Sequence, residues 1–199
     1  LLVESFGPAA TALLAQVKNI HIVACGTSYH AGLVARYWIE SWAKIPCLVE
    51  VASEYRYRDV VVPESTLFVS VSQSGETADT LAALRAGTDA GYLGSITICN
   101  VANSSLVRES DVALMTMAGP EIGVASTKAF TTQLVALQLF AIALAKTRGL
   151  SAEKETQLIR ALHQLPELAS QVLLLDSKIE RTFEKFVEKH HALFLGRGE

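Results

Sequence analysis

Basic charge is in short supply. Lys and Arg number 17 against 20 Asp and Glu, a formal net charge of −3 at pH 7. That balance leaves no electrostatic footprint for nucleic acid or an anionic membrane. Cysteine is as sparse: Cys25, Cys47 and Cys99 are odd in number, far apart and each set in an apolar run. Such a pattern argues against a disulfide framework or a zinc set and fits small core residues in a reducing, cytoplasmic compartment. The five histidines, His21, His30, His163, His190 and His191, lack cysteine or carboxylate partners at metal-ligand spacing, so they read as structural or solvated and no metal is expected. No apolar run reaches the roughly 20 residues of a membrane span. The longest, Leu134 to Ala145, is interrupted by Gln138 and reads as a buried helix. There is no basic stretch leading to a small-residue cleavage site, and a start at Leu1 reads as the middle of a longer chain.

What is present is an alternation. Apolar runs at 20–25, 47–51, 66–72, 95–99 and 111–117 are rich in β-branched residues and read as strands, too apolar for one solvated face. Between them, 29–42, 77–90 and 127–146 space their apolar residues as helices do, with Gly87, Gly91 and Gly149 as stop signals. The predicted class is α/β, a doubly wound parallel sheet covered on both faces, over residues 1–150. From Ser151 the pattern turns charged, amphipathic and helical, with Pro166 as a break or a helix start, so 151–190 is expected to be connecting helices. The final residues HHALFLGRGE echo NIHIVACGTS near the beginning: polar lead-in, apolar run, then glycine. The echo predicts that 191–199 opens a second copy of the same domain with its first strand.

Three strand-to-helix junctions carry hydroxyl groups: Cys25-Gly26-Thr27-Ser28, Ser72-Gln73-Ser74-Gly75-Glu76-Thr77 and Val124-Ala125-Ser126-Thr127-Lys128. In a parallel sheet all three emerge at the carboxyl edge, where helix N-termini converge and open α/β folds bind ligands. A cap uses one or two side chains, which is enough to account for Thr27 or Ser28 alone, or Ser126 alone. Four polar side chains around Gly75 exceed that need. Unpaired N–H groups at a helix start, with Ser72, Gln73, Ser74 and Thr77 beside them, make a neutral cradle for phosphate. No glycine–lysine pair follows, so this is not a P-loop, and CGTSYHAG lacks the spacing of a dinucleotide fingerprint. A small phosphorylated ligand fits better, its polyol part served by Thr27, Ser28 and Ser126. Glu76 reads as a favourable partner of its own helix dipole, Lys128 as solvated, and ASEYRYR with Glu54 as a partner contact or a polar loop.

CGTS, SQSGET and GVASTK, in that order and with ASEYRYR between the first two, resemble the sugar isomerase (SIS) domain family over essentially the whole chain. The resemblance implies a flavodoxin-like five-stranded parallel sheet. It implies that Ser72, Gln73, Ser74 and Thr77 hold the phosphate of fructose 6-phosphate or glucosamine 6-phosphate, and that Thr27, Ser28, Val124 and Ser126 meet sugar oxygens. No cofactor is implied. It further implies the first of two SIS copies in a homodimeric, amino-sugar-forming enzyme, preceded by a glutaminase domain that supplies ammonia. The acid/base glutamate and histidine and the carbonyl-activating lysine would then lie in the second copy or a neighbouring subunit, leaving this chain to bind substrate without catalytic residues of its own. Two other classes share SQSGET: a phosphosugar-sensing module of a regulator, which would bring a helix-turn-helix and basic surface, and a stand-alone aldose-ketose isomerase with its acid/base inside one domain.

Overall fold

A computed structural model describes residues 8–123, 126–193, 195 and 196. Five parallel strands, β1 (Asn19–Ala24), β2 (Cys47–Val51), β3 (Thr66–Ser72), β4 (Gly94–Cys99) and β5 (Val112–Met115), pair in the order β2-β1-β3-β4-β5. Each parallel neighbour is reached by a helical crossover, as parallel pairing requires. The helices are α1 (Pro8–Gln16), α2 (Gly26–Trp38), α3 (Ala52–Tyr55), α4 (Ala78–Thr88), α5 (Ser105–Glu109) and α6 (Lys128–Lys146).

Alternation along the strands assigns the two faces. Ile20, Ile22 and Ala24 of β1, with Leu67, Val69 and Val71 of β3, pack against α1, α2 and α6. Val23 and Phe68 pack the other way, among Ala52, Tyr55, Ala83, Leu84 and Leu106 of α3, α4 and α5. Strands buried on both faces must be apolar at nearly every position, which is why the runs are continuous. Helix α6 is long and apolar enough by composition to cross a membrane, yet Leu137, Phe140, Ala141 and Leu144 are buried against the sheet face. It is a core helix.

Three short elements depart from the sequence pattern. The first four residues of the ASEYRYR segment form α3 and the rest a turn: Tyr55 is buried, Arg56 pairs with Asp79 at 2.7 Å, and Arg58 forks onto Glu50 at 2.6 and 2.6 Å, while Glu54 is exposed. After Trp38 the helix widens into a π turn, Ile39–Ala43, stacking Trp38 on Trp42. Gly87 lies within α4, where its hydrogen leaves room for the Phe68 ring; the chain turns at Gly91, at φ +88°.

Beneath α3, the Glu50 carboxylate bonded to Arg58 also reaches His21 Nε2 at 3.1 Å, and His21 Nδ1 meets the Tyr92 hydroxyl at 2.7 Å. Tyr55 donates its hydroxyl to Tyr92. Burial holds the His21 imidazole below its ordinary pKa of 6.5, outweighing the pull of Glu50, whose charge is already committed to Arg58. The unfolded chain therefore takes up a proton near pH 6.5 that the folded chain refuses, and stability falls as pH drops through that value. We expect the melting temperature to fall between pH 7.5 and 5.5 by more in the parent than in His21→Gln. Equal losses in both would show that another group carries the titration.

The compact unit containing the sheet ends at Ala152, and a second begins at Glu153. In the second, α7 (Ala152–Leu173) runs through Pro166 instead of breaking there. Proline cannot supply an N–H to the carbonyl of Leu162, but this stretch is exposed and water can serve that oxygen. Helix α8 (Asp176–Phe183) and a short 3₁₀ turn follow. Residues 191–193, 195 and 196 are not in a strand, unlike the sequence expectation, because a strand exists only through a paired neighbour and none is bonded to them among the described residues. Phe194 and 197–199 lie outside the described residues.

Candidate phosphosugar site

The strand order reverses direction between β1 and β3: the chain leaves β1 toward β2 on one side and builds β4 and β5 on the other. At such a switch point the two adjacent loops diverge and leave a crevice beyond the strand ends. The loops there are Cys25–Ser28 and Ser72–Thr77. The helix that follows the second is joined to the first: Thr80 Oγ1, in the first turn of α4, lies 3.9 Å from Cys25 Sγ. The third junction joins through α6, whose Gln133 Nε2 donates to Ser28 Oγ at 3.0 Å. Two side-chain bonds thus tie α4 and α6, the helices that follow the second and third junctions, to the first.

The loop after β3 is built around Gly75, at φ +68°. Its N–H donates to Ser72 Oγ at 3.0 Å and its carbonyl accepts from Leu106 N–H at 3.1 Å. A Cβ at Gly75 would run into Ser104 and come within 2.7 Å of Cys99 Sγ. Gln73 O accepts from Asn100 N–H at 3.2 Å, and Asn100 Oδ1 in turn accepts from Ala118 N–H and Thr116 Oγ1. The cradle is therefore pinned from below by Cys99, Asn100 and Ser104, none of which stood out in the sequence. The only signal was polar residues directly after the apolar run of β4.

Its hydroxyls play unequal parts. Ser72 is buried, and its Oγ lies 3.2 Å from Thr77 Oγ1. Ser72 Oγ accepts from Gly75 N–H, and in its bond with Thr77 either hydroxyl can be the donor; when Ser72 donates, the half-buried Thr77 keeps its own proton for a ligand. Ser74 Oγ accepts from Glu76 N–H at 3.2 Å and keeps its proton likewise. Thr77 is the N-cap of α4 but makes no side-chain cap bond, so the dipole end of that helix is left for another acceptor. Helix α2 starts the same way after Cys25, with no side-chain cap, Gly26 at φ +54°, Thr27 exposed and Ser28 half-buried. Ser126 is half-buried before α6; Val124 and Ala125 lie outside the described residues.

The two nearby carboxylates are occupied. Glu76 Oε1 accepts from Ser105 N–H at 2.7 Å, capping α5 rather than its own helix, and this bond holds its carboxyl below the ordinary range. Glu121 Oε2 accepts from Ala129 N–H at 3.0 Å at the start of α6. Lys128 is exposed. Of the cysteines, Cys47 and Cys99 are buried and Cys25 is half-buried; burial pushes the Cys47 thiol up to about 12.

The chain is 63% identical over all 199 residues to glutamine–fructose-6-phosphate aminotransferase [isomerizing] of Pseudomonas putida, and 58% identical over 199 residues to that of Haemophilus influenzae. It spans about a third, 33%, of the length of these curated relatives. Among solved structures, the C-terminal domain of glucosamine-fructose-6-phosphate aminotransferase from Francisella tularensis superposes with a TM-score of 0.96 at 55% identity, covering 98% of this chain and 55% of that one. The SIS domain pattern matches residues 13–143, the whole sheet and most of α6, and with the strand order and the glycine-centred loop at the switch point it places the chain in the SIS domain family.

Proposed function

We propose that the chain is the phosphosugar-binding part of an enzyme that aminates fructose 6-phosphate and isomerises the product to glucosamine 6-phosphate. The observation that carries this is the Ser72–Thr77 loop, held at the switch point around Gly75, which gathers the Ser72, Ser74 and Thr77 hydroxyls beside a helix start without a side-chain cap while Glu76 is turned to α5. Phosphate takes Gln73, Ser74, Thr77 and the first N–H groups of α4, with Ser72 bracing them; Thr27, Ser28, Ser126 and Val124 meet the sugar. The names of the relatives supply the ligand. Amination at the ketose C2 and proton transfer from C1 to C2 need an acid/base within about 2.6 to 3.2 Å of the proton. Glu76 and Glu121 are spent on capping α5 and α6, which supports a division of labour: this part binds, and a second SIS copy, a glutaminase domain and the partner of a cytoplasmic homodimer complete the reaction.

The test is ligand-induced stabilisation. Fructose 6-phosphate or glucosamine 6-phosphate at a hundredfold excess over Kd should add about 2.7 kcal/mol of apparent stability, whereas unphosphorylated fructose at the same concentration should leave the melting temperature unchanged. Equal shifts with and without the phosphate would dismiss the cradle.

A further inference from the structure

We infer that Gln133 fixes the direction of the Ser28 hydroxyl proton and is thereby a positioning residue for the sugar part of the ligand; this rests on the phosphosugar reading above. Gln133 lies in the second turn of α6, 1% exposed, close in sequence to Ala136, Leu137 and Phe140 of the apolar face. Its Nε2 donates to Ser28 Oγ at 3.0 Å, but its Oε1 is buried with no hydrogen-bond partner among the described residues. An orphaned buried amide oxygen is costly, and methionine would fill the same space without it. Packing therefore does not explain a glutamine here.

The donor inventory does. Turning the amide over would let Oε1 accept from Ser28 but would strand two N–H donors in place of one acceptor, so the amide is the donor in this pair. With one lone pair of Oγ occupied by Gln133, the single O–H of Ser28 is free for an acceptor elsewhere. Ser28 sits half-buried in the first turn of α2, at the carboxyl edge beside the Ser72–Thr77 loop. Its proton is thus available to a carbonyl or hydroxyl oxygen of the sugar. The phosphate does not need it, having its own loop.

Gln133→Met tests the assignment by measuring the affinities of fructose 6-phosphate and inorganic phosphate for the chain. Met removes the donor and the orphan oxygen together, so the melting temperature should hold or rise, while the preference for the sugar phosphate should fall about three- to tenfold. Adding Ser28→Ala to it should cause a smaller further fall than Ser28→Ala causes in the parent. If Gln133→Met does not fold, Gln133→Leu gives the same readout, because it too removes the donor and the orphan oxygen and should lower the preference as far. A parental preference in the folded variant, with or without lost stability, marks Gln133 as a packing residue and overturns the inference. A parent chain that itself binds fructose 6-phosphate no better than inorganic phosphate rejects the phosphosugar reading, and this assignment with it.

Discussion

Gly75→Ala should weaken fructose 6-phosphate binding by at least about a hundredfold, the loss expected when two charge-assisted hydrogen bonds of roughly 1.5 kcal/mol each are forfeited. Two independent obstacles meet at this residue. Its φ of +68° places a side chain in the left-handed region, at about 1 to 2 kcal/mol for an L-residue. The new methyl would also enter space held by Ser104 and Cys99, both buried, and overpacking a filled site costs typically 1 to 3 kcal/mol more. The loop can relieve both only by leaving its place, which breaks the Gly75 N–H bond to Ser72 and scatters the donors of Ser74 and Thr77. Calorimetry with fructose 6-phosphate reads the affinity and thermal melting the stability. Ser104→Gly in the Gly75→Ala background should recover part of the loss, because it removes the nearest atoms while leaving the backbone strain and Cys99. A Gly75→Ala chain that binds as tightly as the parent would mean the phosphate sits elsewhere.

Why Gly75 could be picked out of the sequence and Ser104 could not is a matter of range. The strands were legible because burial on both faces forces an apolar residue at every step, and the cradle because hydroxyls crowd one glycine within six residues of chain. The supports of the cradle are non-local. Cys99 lies 26 residues from Gln73, and Gln133 lies 105 from Ser28; no spacing rule connects such pairs before the sheet is assembled. Helices α3 and α5, of 4 and 5 residues, are too short to show a period, and the π turn at Ile39–Ala43 hides inside what reads as continuous helix. Glu76 was misread for a related reason: an acid in a first turn suits its own helix dipole, but the fold brings the start of α5 close enough to take the carboxylate instead.

Thr77→Val and Ser72→Ala should separate holding the ligand from holding the loop. Thr77 caps α4 with its backbone alone and shares one hydrogen bond with Ser72; as the acceptor in that bond it has its own proton left for the ligand. Valine keeps its shape and removes that proton, so affinity for fructose 6-phosphate should fall by about 1.5 to 3 kcal/mol, tenfold to over a hundredfold, as a hydrogen bond to a charged group is lost. Stability should change far less, because no cap bond disappears with the hydroxyl. Inorganic phosphate should weaken by the same factor as the sugar phosphate, since the contact is to phosphate. Ser72 is placed differently: 2% exposed, it accepts the buried Gly75 N–H. Alanine there strands that donor at about 1 to 3 kcal/mol of stability, and it lets Gly75 and Thr77 drift together. Ser72→Ala should therefore lose stability and affinity at once, whereas Thr77→Val loses affinity alone. The relay from Gly75 N–H through Ser72 to Thr77 predicts one more result: Thr77→Val added to Ser72→Ala should cost less affinity than Thr77→Val in the parent, because the threonine proton is no longer directed outward by its neighbour. Strict additivity of the two substitutions would show that Ser72 and Thr77 act separately and that the outward chain of protons does not exist.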